Sequence, residues 1–258
     1  GALAPSLYFG KDDGIFIKHD QILRVKVLCN WCNSEDLCRE LSNMCEQSSR
    51  FKCLELCSDN NNIDYYLIIN KPPDGAYYNP AKTVVFQGEP WCYSDNQHWG
   101  VKTWGEWANP DPAKFLSINT TRNGLNMVQW QFRDVPLERL RTESINKSRM
   151  FSTICSSKYV DPGHKRRIDF LKYLEERDFM IDIYGYENRH GFRQYQGSLE
   201  RKESGYWPYK YYLIAENNSE PNYITEKLWE PILAECLCFY WGAPNVGDWI
   251  DERAFIRL

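Results

Sequence analysis

Several signatures that would identify a chemistry at once are missing from this sequence. No run of 18 or more apolar residues occurs, so nothing in it reads as a membrane-spanning helix. There is no G-x-G-x-x-G and no G-x-x-x-x-G-K-[ST], which argues against a dinucleotide oxidoreductase and a P-loop nucleotidase. There is no basic excess: 31 Lys and Arg stand against 35 Asp and Glu, a net charge of −4. Nucleic acid as the main partner is therefore disfavoured, because neutralising phosphates needs a cationic face. Histidines are few (four) and scattered at His19, His98, His164 and His190. Six of the ten cysteines fall between Cys29 and Cys57, but Cys29-x-x-Cys32 has no second C-x-x-C at zinc-ribbon spacing. No convincing Asp-x-Asp pair offers a metal site, since Asp12-Asp13 lies in a polar terminal stretch, and no internal repeat is present.

What remains is an ordinary globular composition, 43% hydrophobic and 26% charged, over 258 residues, enough for one large or two modest domains. Aromatics are plentiful (Trp 10, Tyr 17, Phe 12), and their faces stack on sugars and bases as readily as they fill cores. Gly1-Ala2-Leu3-Ala4-Pro5 has neither a charged n-region nor an apolar h-region and reads as a remnant of expression. Three N-x-S/T sequons (Asn119, Asn146, Asn217) permit a secretory location without establishing one. The compartment stays open between the cytosol and a Golgi lumen reached through an anchor since removed, and the disulfide state stays open with it.

The pattern along the chain is strand alternating with helix. Arg24–Cys29 reads as a strand, and Ser34–Gln47 as a helix capped by Asn33 or Ser34, with Leu37, Cys38, Leu41, Met44 and Cys45 on one face. Phe51–Leu56, the continuous apolar run Asp64–Asn70 and Thr83–Gln87 read as further strands, the last ending at Gly88-Glu89-Pro90. Residues 99–130 read as irregular loops with short strands, and the charged stretch Pro136–Arg149 as a linker. The pattern then restarts: strand Met150–Ser156, helix Lys165–Arg177 with Ile168, Leu171, Tyr173 and Leu174 inward, and strand Met180–Tyr184. A polar, aromatic loop follows, then strand Tyr211–Glu216, helix Tyr223–Glu235 and strand Leu237–Tyr240. The expectation is an α/β protein with two Rossmann-like lobes facing across a cleft, residues 6–140 and 150–258.

The segment that carries most chemistry is Tyr209–Asn218, then Ser219–Leu228, then Phe239–Asn245. A buried strand delivers Glu216 and Asn217 at its carboxyl end, where open α/β sheets bind ligands. A helix follows whose first turn carries Thr225, Glu226 and Lys227. Free N–H groups at a helix start suit a phosphate, and a cation placed there makes sense with an anion between. Pro231 should kink or shorten this helix. From spacing alone, an exposed Glu–Lys pair on an ordinary helix explains the residues equally well.

Asn222-Tyr-Ile-Thr-Glu-Lys-Leu228, with Glu216-Asn217 upstream and Tyr240-Trp-Gly-Ala-Pro244 downstream, resembles the signature of the α1,3-fucosyltransferase family, inverting enzymes of GT-B fold that use GDP-fucose. The likeness extends to Val25–Cys32, Tyr66–Pro72, Val84–Pro90, Arg166–Leu174, Asp182–Gly185, Ala243–Ile250 and Ala254–Ile256. It departs at Ala215, where the family usually has an aromatic. It also departs at Leu258, where relatives run on, so a trimmed or minimal chain is expected. The resemblance implies an N-terminal acceptor lobe and a C-terminal donor lobe, with Glu89 as the base. Arg167 and Lys227 would hold the donor diphosphate, with Arg166 replacing Arg167 in an alternative register. Glu226, Glu216 and Asn217 would bind donor sugar or ribose hydroxyls. Tyr223 and Thr225 would shape the same loop, or serve simply as a core tyrosine and a helix cap. The implied partners are a nucleotide-sugar co-substrate and a glycan acceptor entering over the Trp91–Trp107 loop. Two cations on the leaving group make a metal unnecessary. The same chemistry with another donor, such as UDP-xylose, and an inactive carbohydrate-binding relative are the alternative readings.

Overall fold

A computed structural model describes residues 22–44, 53–90, 104–125, 128, 130, 132 and 135–258. Cys45, Asp12-Asp13, Gly1–Pro5 and most of the Trp91–Trp107 loop lie outside them. The described chain forms two all-parallel sheets. The first has strand order β2-β1-β3-β4-β5, built from β1 (Leu23–Cys29), β2 (Leu54–Cys57), β3 (Tyr65–Ile69), β4 (Thr83–Gln87) and β5 (Ser117–Thr120). The second has order β11-β10-β9-β6-β7-β8, from β6 (Arg149–Ile154), β7 (Asp182–Tyr184), β8 (Tyr195–Gly197), β9 (Tyr209–Ala215), β10 (Leu237–Trp241) and β11 (Phe255–Arg257). The expected pair of Rossmann-like α/β lobes is present.

The first lobe follows its sequence closely. Helix α1 (Ser34–Met44) begins where Asn33 Oδ1 accepts the Asp36 N–H at 2.8 Å, so Asn33 is the cap. Leu37 is its one fully covered apolar side chain, and Cys38, expected to be buried, is only half-covered. Cys29 and Cys32 are free thiols whose sulfurs lie 3.4 Å apart. The order of this sheet reverses between β1 and β3. At their carboxyl ends lies a hollow of about 290 Å³ lined by Cys29–Cys32 and Lys71–Asp74.

The packing changes lobes earlier than residue 140. Trp130, Phe132 and Val135 are buried in the core of the second sheet, against Tyr206, Tyr212 and Leu228, with Leu140 beside them. Part of the expected linker is helical, α2 (Leu137–Thr142). Beyond it, α3 (Pro162–Glu176) starts one turn before the expected Lys165. Its start is fixed by Asp161 and by Pro162 at the first helical position, where proline's missing N–H costs nothing. Ile168 and Leu171 face inward as expected, but Tyr173 is 47% exposed. Its ring lies instead under the Arg177 guanidinium, 3.5 Å from the ring centre. Helix α4 (Glu226–Leu233) is three residues shorter at its start than expected, because Thr225 caps it, and ends two residues after Pro231.

Candidate functional site

The second sheet also reverses its order, between β6 and β9. The chain leaving β6 enters α3, and the chain leaving β9 passes through Glu216 to α4, so both helices start at this crevice. The contact there is close. Gly163, in the first turn of α3, donates its N–H to the Asn217 carbonyl at 2.9 Å. A Cβ on Gly163 would lie 1.6 Å from the Glu216 carbonyl oxygen, so only glycine fits.

Around this point the structure gathers most of the expected residues. Arg167 is 5% exposed and directs its guanidinium inward, donating to the Ala215 carbonyl. Arg166 is exposed and stacks over the Trp241 ring at 5.0 Å, so of the two arginines it is Arg167 that is buried. Lys227 Nζ lies 3.1 Å from Glu226 Oε1 and 3.2 Å from Thr225 Oγ1. Burial works against its charge, but Glu226 and Glu216 raise its pKa above the usual lysine range. Burial likewise opposes ionisation of Glu226, yet Lys227 and Lys202 outweigh it and hold that carboxyl at about 2.

Glu216 is placed differently from Glu226. It is fully buried, and its two oxygens accept from the Thr225 N–H (2.9 Å) and the Thr225 hydroxyl (2.7 Å). Thr225 is thus a helix cap, its hydroxyl also accepting the Lys227 N–H at 3.3 Å. Tyr223 is 2% exposed, and Asn217 is half-buried at the mouth of the loop.

Glu89 comes from the other lobe. Asn70, in the left-handed region at φ 64°, accepts the Gly88 N–H at 2.8 Å, and Gln87 Oε1 accepts the Glu89 N–H at 3.0 Å. The turn after β4 is thereby fixed against the end of β3. Glu89 is half-buried. Burial lifts its carboxyl to about 7, Lys227 and Lys158 pull it down, and Glu226 and Asp161 push it up. The Glu89 carboxyl of the first lobe thus lies within electrostatic reach of the Glu226–Lys227 pair of the second.

Three further residues belong to this constellation, and of them only Asn222, at the head of the quoted motif, had a sequence signal. His164 is 4% exposed and accepts the Asp161 N–H on Nδ1 at 3.2 Å, closing a capping box. The usual box carries Glu or Gln at that position, so a histidine there escapes the pattern. Burial and the nearby Arg167 lower its pKa to about 4, so it is neutral in the physiological range. Lys202, in a loop without periodicity, pairs with the fully buried Glu230 at 2.7 Å, and Tyr206 donates to the same oxygen at 2.8 Å. Asn222 sits at φ 62° and is bonded to Asn245, Trp249 and Thr121. Among the described residues no group of three or more His, Cys, Asp or Glu is placed to hold a metal ion, and no helix is long and apolar enough to cross a membrane.

Comparison with known proteins bears on the second lobe above all. Residues 145–258 match the model of glycosyltransferase family 10 (fucosyltransferase), C-terminal. A GDP-fucose protein O-fucosyltransferase 3 of Xenopus laevis is 50% identical over 45 residues, 17% of this chain and 10% of that protein. The same-named protein of Canis lupus familiaris is 26% identical over 123 residues, 44% of this chain and 25% of that protein. Alpha-(1,3)-fucosyltransferase B of Drosophila melanogaster is 42% identical over 41 residues, 16% and 9%. The aligned stretches thus span a quarter or less of these relatives. A solved α1,3-fucosyltransferase with GDP superposes with a TM-score of 0.48 at 18% identity, covering 92% of this chain and 73% of that one. The lobe that carries Arg167, Glu216, Glu226 and Lys227 is thus the part of the chain that matches the glycosyltransferase family 10 (fucosyltransferase) model.

Proposed function

We propose that this chain is an inverting fucosyltransferase that moves fucose from GDP-fucose to an acceptor hydroxyl. The observation that carries the reading is Glu89: a carboxyl tuned to about 7 in one lobe, acting against the Glu226–Lys227 pair of the other. A general base works best with a pKa near the operating pH, and this one lies within electrostatic reach of the residues proposed to hold the nucleotide sugar. Glu89 takes the acceptor proton as the hydroxyl oxygen attacks the anomeric carbon, and the bond to the diphosphate breaks on the opposite face. One such displacement inverts the configuration.

Arg167 and Lys227 neutralise the charge that builds on the departing GDP, Arg167 through its planar fork and Lys227 as a point charge. Two fixed cations at the leaving group make a divalent ion unnecessary in this scheme, and turnover should survive a chelator. Glu226, ionised and half-buried beside Lys227, is suited to accept hydrogen bonds from sugar or ribose hydroxyls, with Asn217 beside it. Tyr223 shapes the wall of the loop.

The acceptor is read as a glycan hydroxyl. The identity to proteins named protein O-fucosyltransferases favours a second reading, in which a protein side-chain hydroxyl accepts the fucose. Calorimetry with GDP, UDP and their fucose, xylose and glucose conjugates tests the donor: tightest binding of GDP-fucose supports the proposal, and preference for a UDP-sugar overturns it. Transfer from labelled GDP-fucose to free oligosaccharides against folded protein domains then separates the two acceptors. Binding of donor without transfer to either class would point to an inactive relative.

A further inference from the structure

Glu216 stands among the residues first expected to touch the donor sugar, yet the structure leaves it no free face. It is fully buried. A Cβ on Gly163 would strike its carbonyl oxygen at 1.6 Å, and a Cβ on Gly242 would come within 2.5 Å of its Cγ, so backbone encloses it from both sides. Its two carboxylate oxygens are each taken by Thr225, one by the N–H and one by the hydroxyl.

That bond fixes a direction along the chain of hydrogen bonds. Having donated its only proton to Glu216, the Thr225 hydroxyl can only accept, and what it accepts is the Lys227 backbone N–H and the Lys227 ammonium. Nζ of Lys227 lies 3.9 Å from Glu216 Oε2, so the buried carboxylate compensates the lysine without bonding it directly. Thr225 is also the cap from which α4 starts.

We infer that Glu216 is a positioning residue: acting through Thr225, it sets the first turn of α4 and aims Lys227 at the donor diphosphate, without itself touching the donor. The inference rests on the proposed use of a nucleoside diphosphate sugar and assigns a part in its recognition that composition and motif leave unassigned. Burial without a partner would make a carboxylate costly at this place, whereas bonds from both Thr225 donors turn that cost into a rigid fixture.

The test compares GDP with GDP-fucose by calorimetry on the intact chain, alongside thermal unfolding. Thr225→Val removes the hydroxyl at nearly constant volume, and Glu216→Asp keeps the charge but shortens the reach. Each should weaken GDP and GDP-fucose by the same factor, about 10–100-fold. The double variant should bind no more weakly than either single one, because both break the same chain. Thr225→Ser, which keeps the hydroxyl, should bind as the parent does. Glu216→Gln provides the same measurement at unchanged volume if the aspartate variant fails to fold.

A loss confined to GDP-fucose would show that Glu216 contacts the sugar and overturn the inference. Lowered thermal stability with unchanged affinity would reduce Glu216 to a purely structural part and overturn it equally. If the parent chain binds no GDP, the proposed function itself fails, and that result needs no variant to be seen.

Discussion

Asn222 Nδ2 donates to the Thr121 carbonyl oxygen across 2.8 Å, joining residues 101 positions apart and tying the loop before α4 to the end of β5 in the other lobe. The other polar atoms of Asn222 are also engaged. Its N–H donates to Asn245 Oδ1, and its Oδ1 accepts from Asn245 Nδ2 at 2.8 Å and Trp249 Nε1 at 3.0 Å. Asparagine tolerates the left-handed conformation observed at φ 62°, and no other residue type there could supply these bonds together.

Asn222→Gly keeps the turn and removes the side-chain bonds, so its effect isolates them. A loss of about 2–3 kcal/mol in chemical unfolding, with weakened GDP binding, is the expected outcome. Asn222→Ala should lose about 1 kcal/mol more, because alanine resists the left-handed conformation.

Glu89→Gln should reduce turnover by about 10²–10⁴-fold while GDP affinity, measured by calorimetry, stays close to that of the parent chain. Unaltered turnover would remove Glu89 as the base. In the parent chain, kcat/KM should rise with pH and level off above about 7, since only the ionised carboxylate takes a proton. Lys158 is exposed and helps to hold that carboxyl down, so Lys158→Gln should move the acid limb to higher pH.

The same tuning has a cost in stability. A carboxyl whose folded pKa is raised stabilises the fold while protonated, and that contribution is lost as pH rises from about 4.5 through about 7. Glu89→Gln should therefore melt above the parent chain at pH 8 and close to it at pH 4. His164 works at the other end. Its folded pKa of about 4 against an ordinary 6.5 means that stability is complete above pH 6.5 and declines as pH falls toward 4. The melting temperature of His164→Asn should be lower at neutral pH, through loss of the cap, and flatter between pH 6.5 and 4.

Lys227→Met should weaken GDP binding by about 1.5–3 kcal/mol, the usual worth of a hydrogen bond to a charged group. Arg166→Met, with its guanidinium over Trp241, should leave GDP affinity near that of the parent, whereas Arg167→Met should not. Equal losses at 166 and 167 would contradict the orientation seen in α3.

Much of this was readable before any coordinates, for identifiable reasons. Apolar runs such as Thr83–Gln87 are strands because parallel sheets are covered on both faces, and that strand matched residue for residue. The motif around Glu226 and Lys227 singled out the segment where the structure brings Glu216, Thr225, Glu226 and Lys227 together. Side-chain direction was not legible: Arg166 and Arg167 differ only by a helical rotation, and Glu216 and Glu226 are both acidic residues near a helix start. The first is sealed beneath Thr225 and the second is left half-open. Nor does a hydrophobic pattern reveal which sheet a loop will join: Trp130, Phe132 and Val135 fall within the expected 6–140 lobe, yet pack in the core of the second sheet. Tyr173 matched the inward period of α3, yet settled outward against Arg177.

The absence of room at Gly163 has an evolutionary corollary. Helix α3 rests on the Glu216–Asn217 backbone and α4 is capped through the Glu216 carboxylate, so neither can be re-angled without disturbing the other. Under the proposed function, new donor preferences should arise by exchanging half-buried side chains such as Asn217 and Glu226, while the seat beneath them stays as it is.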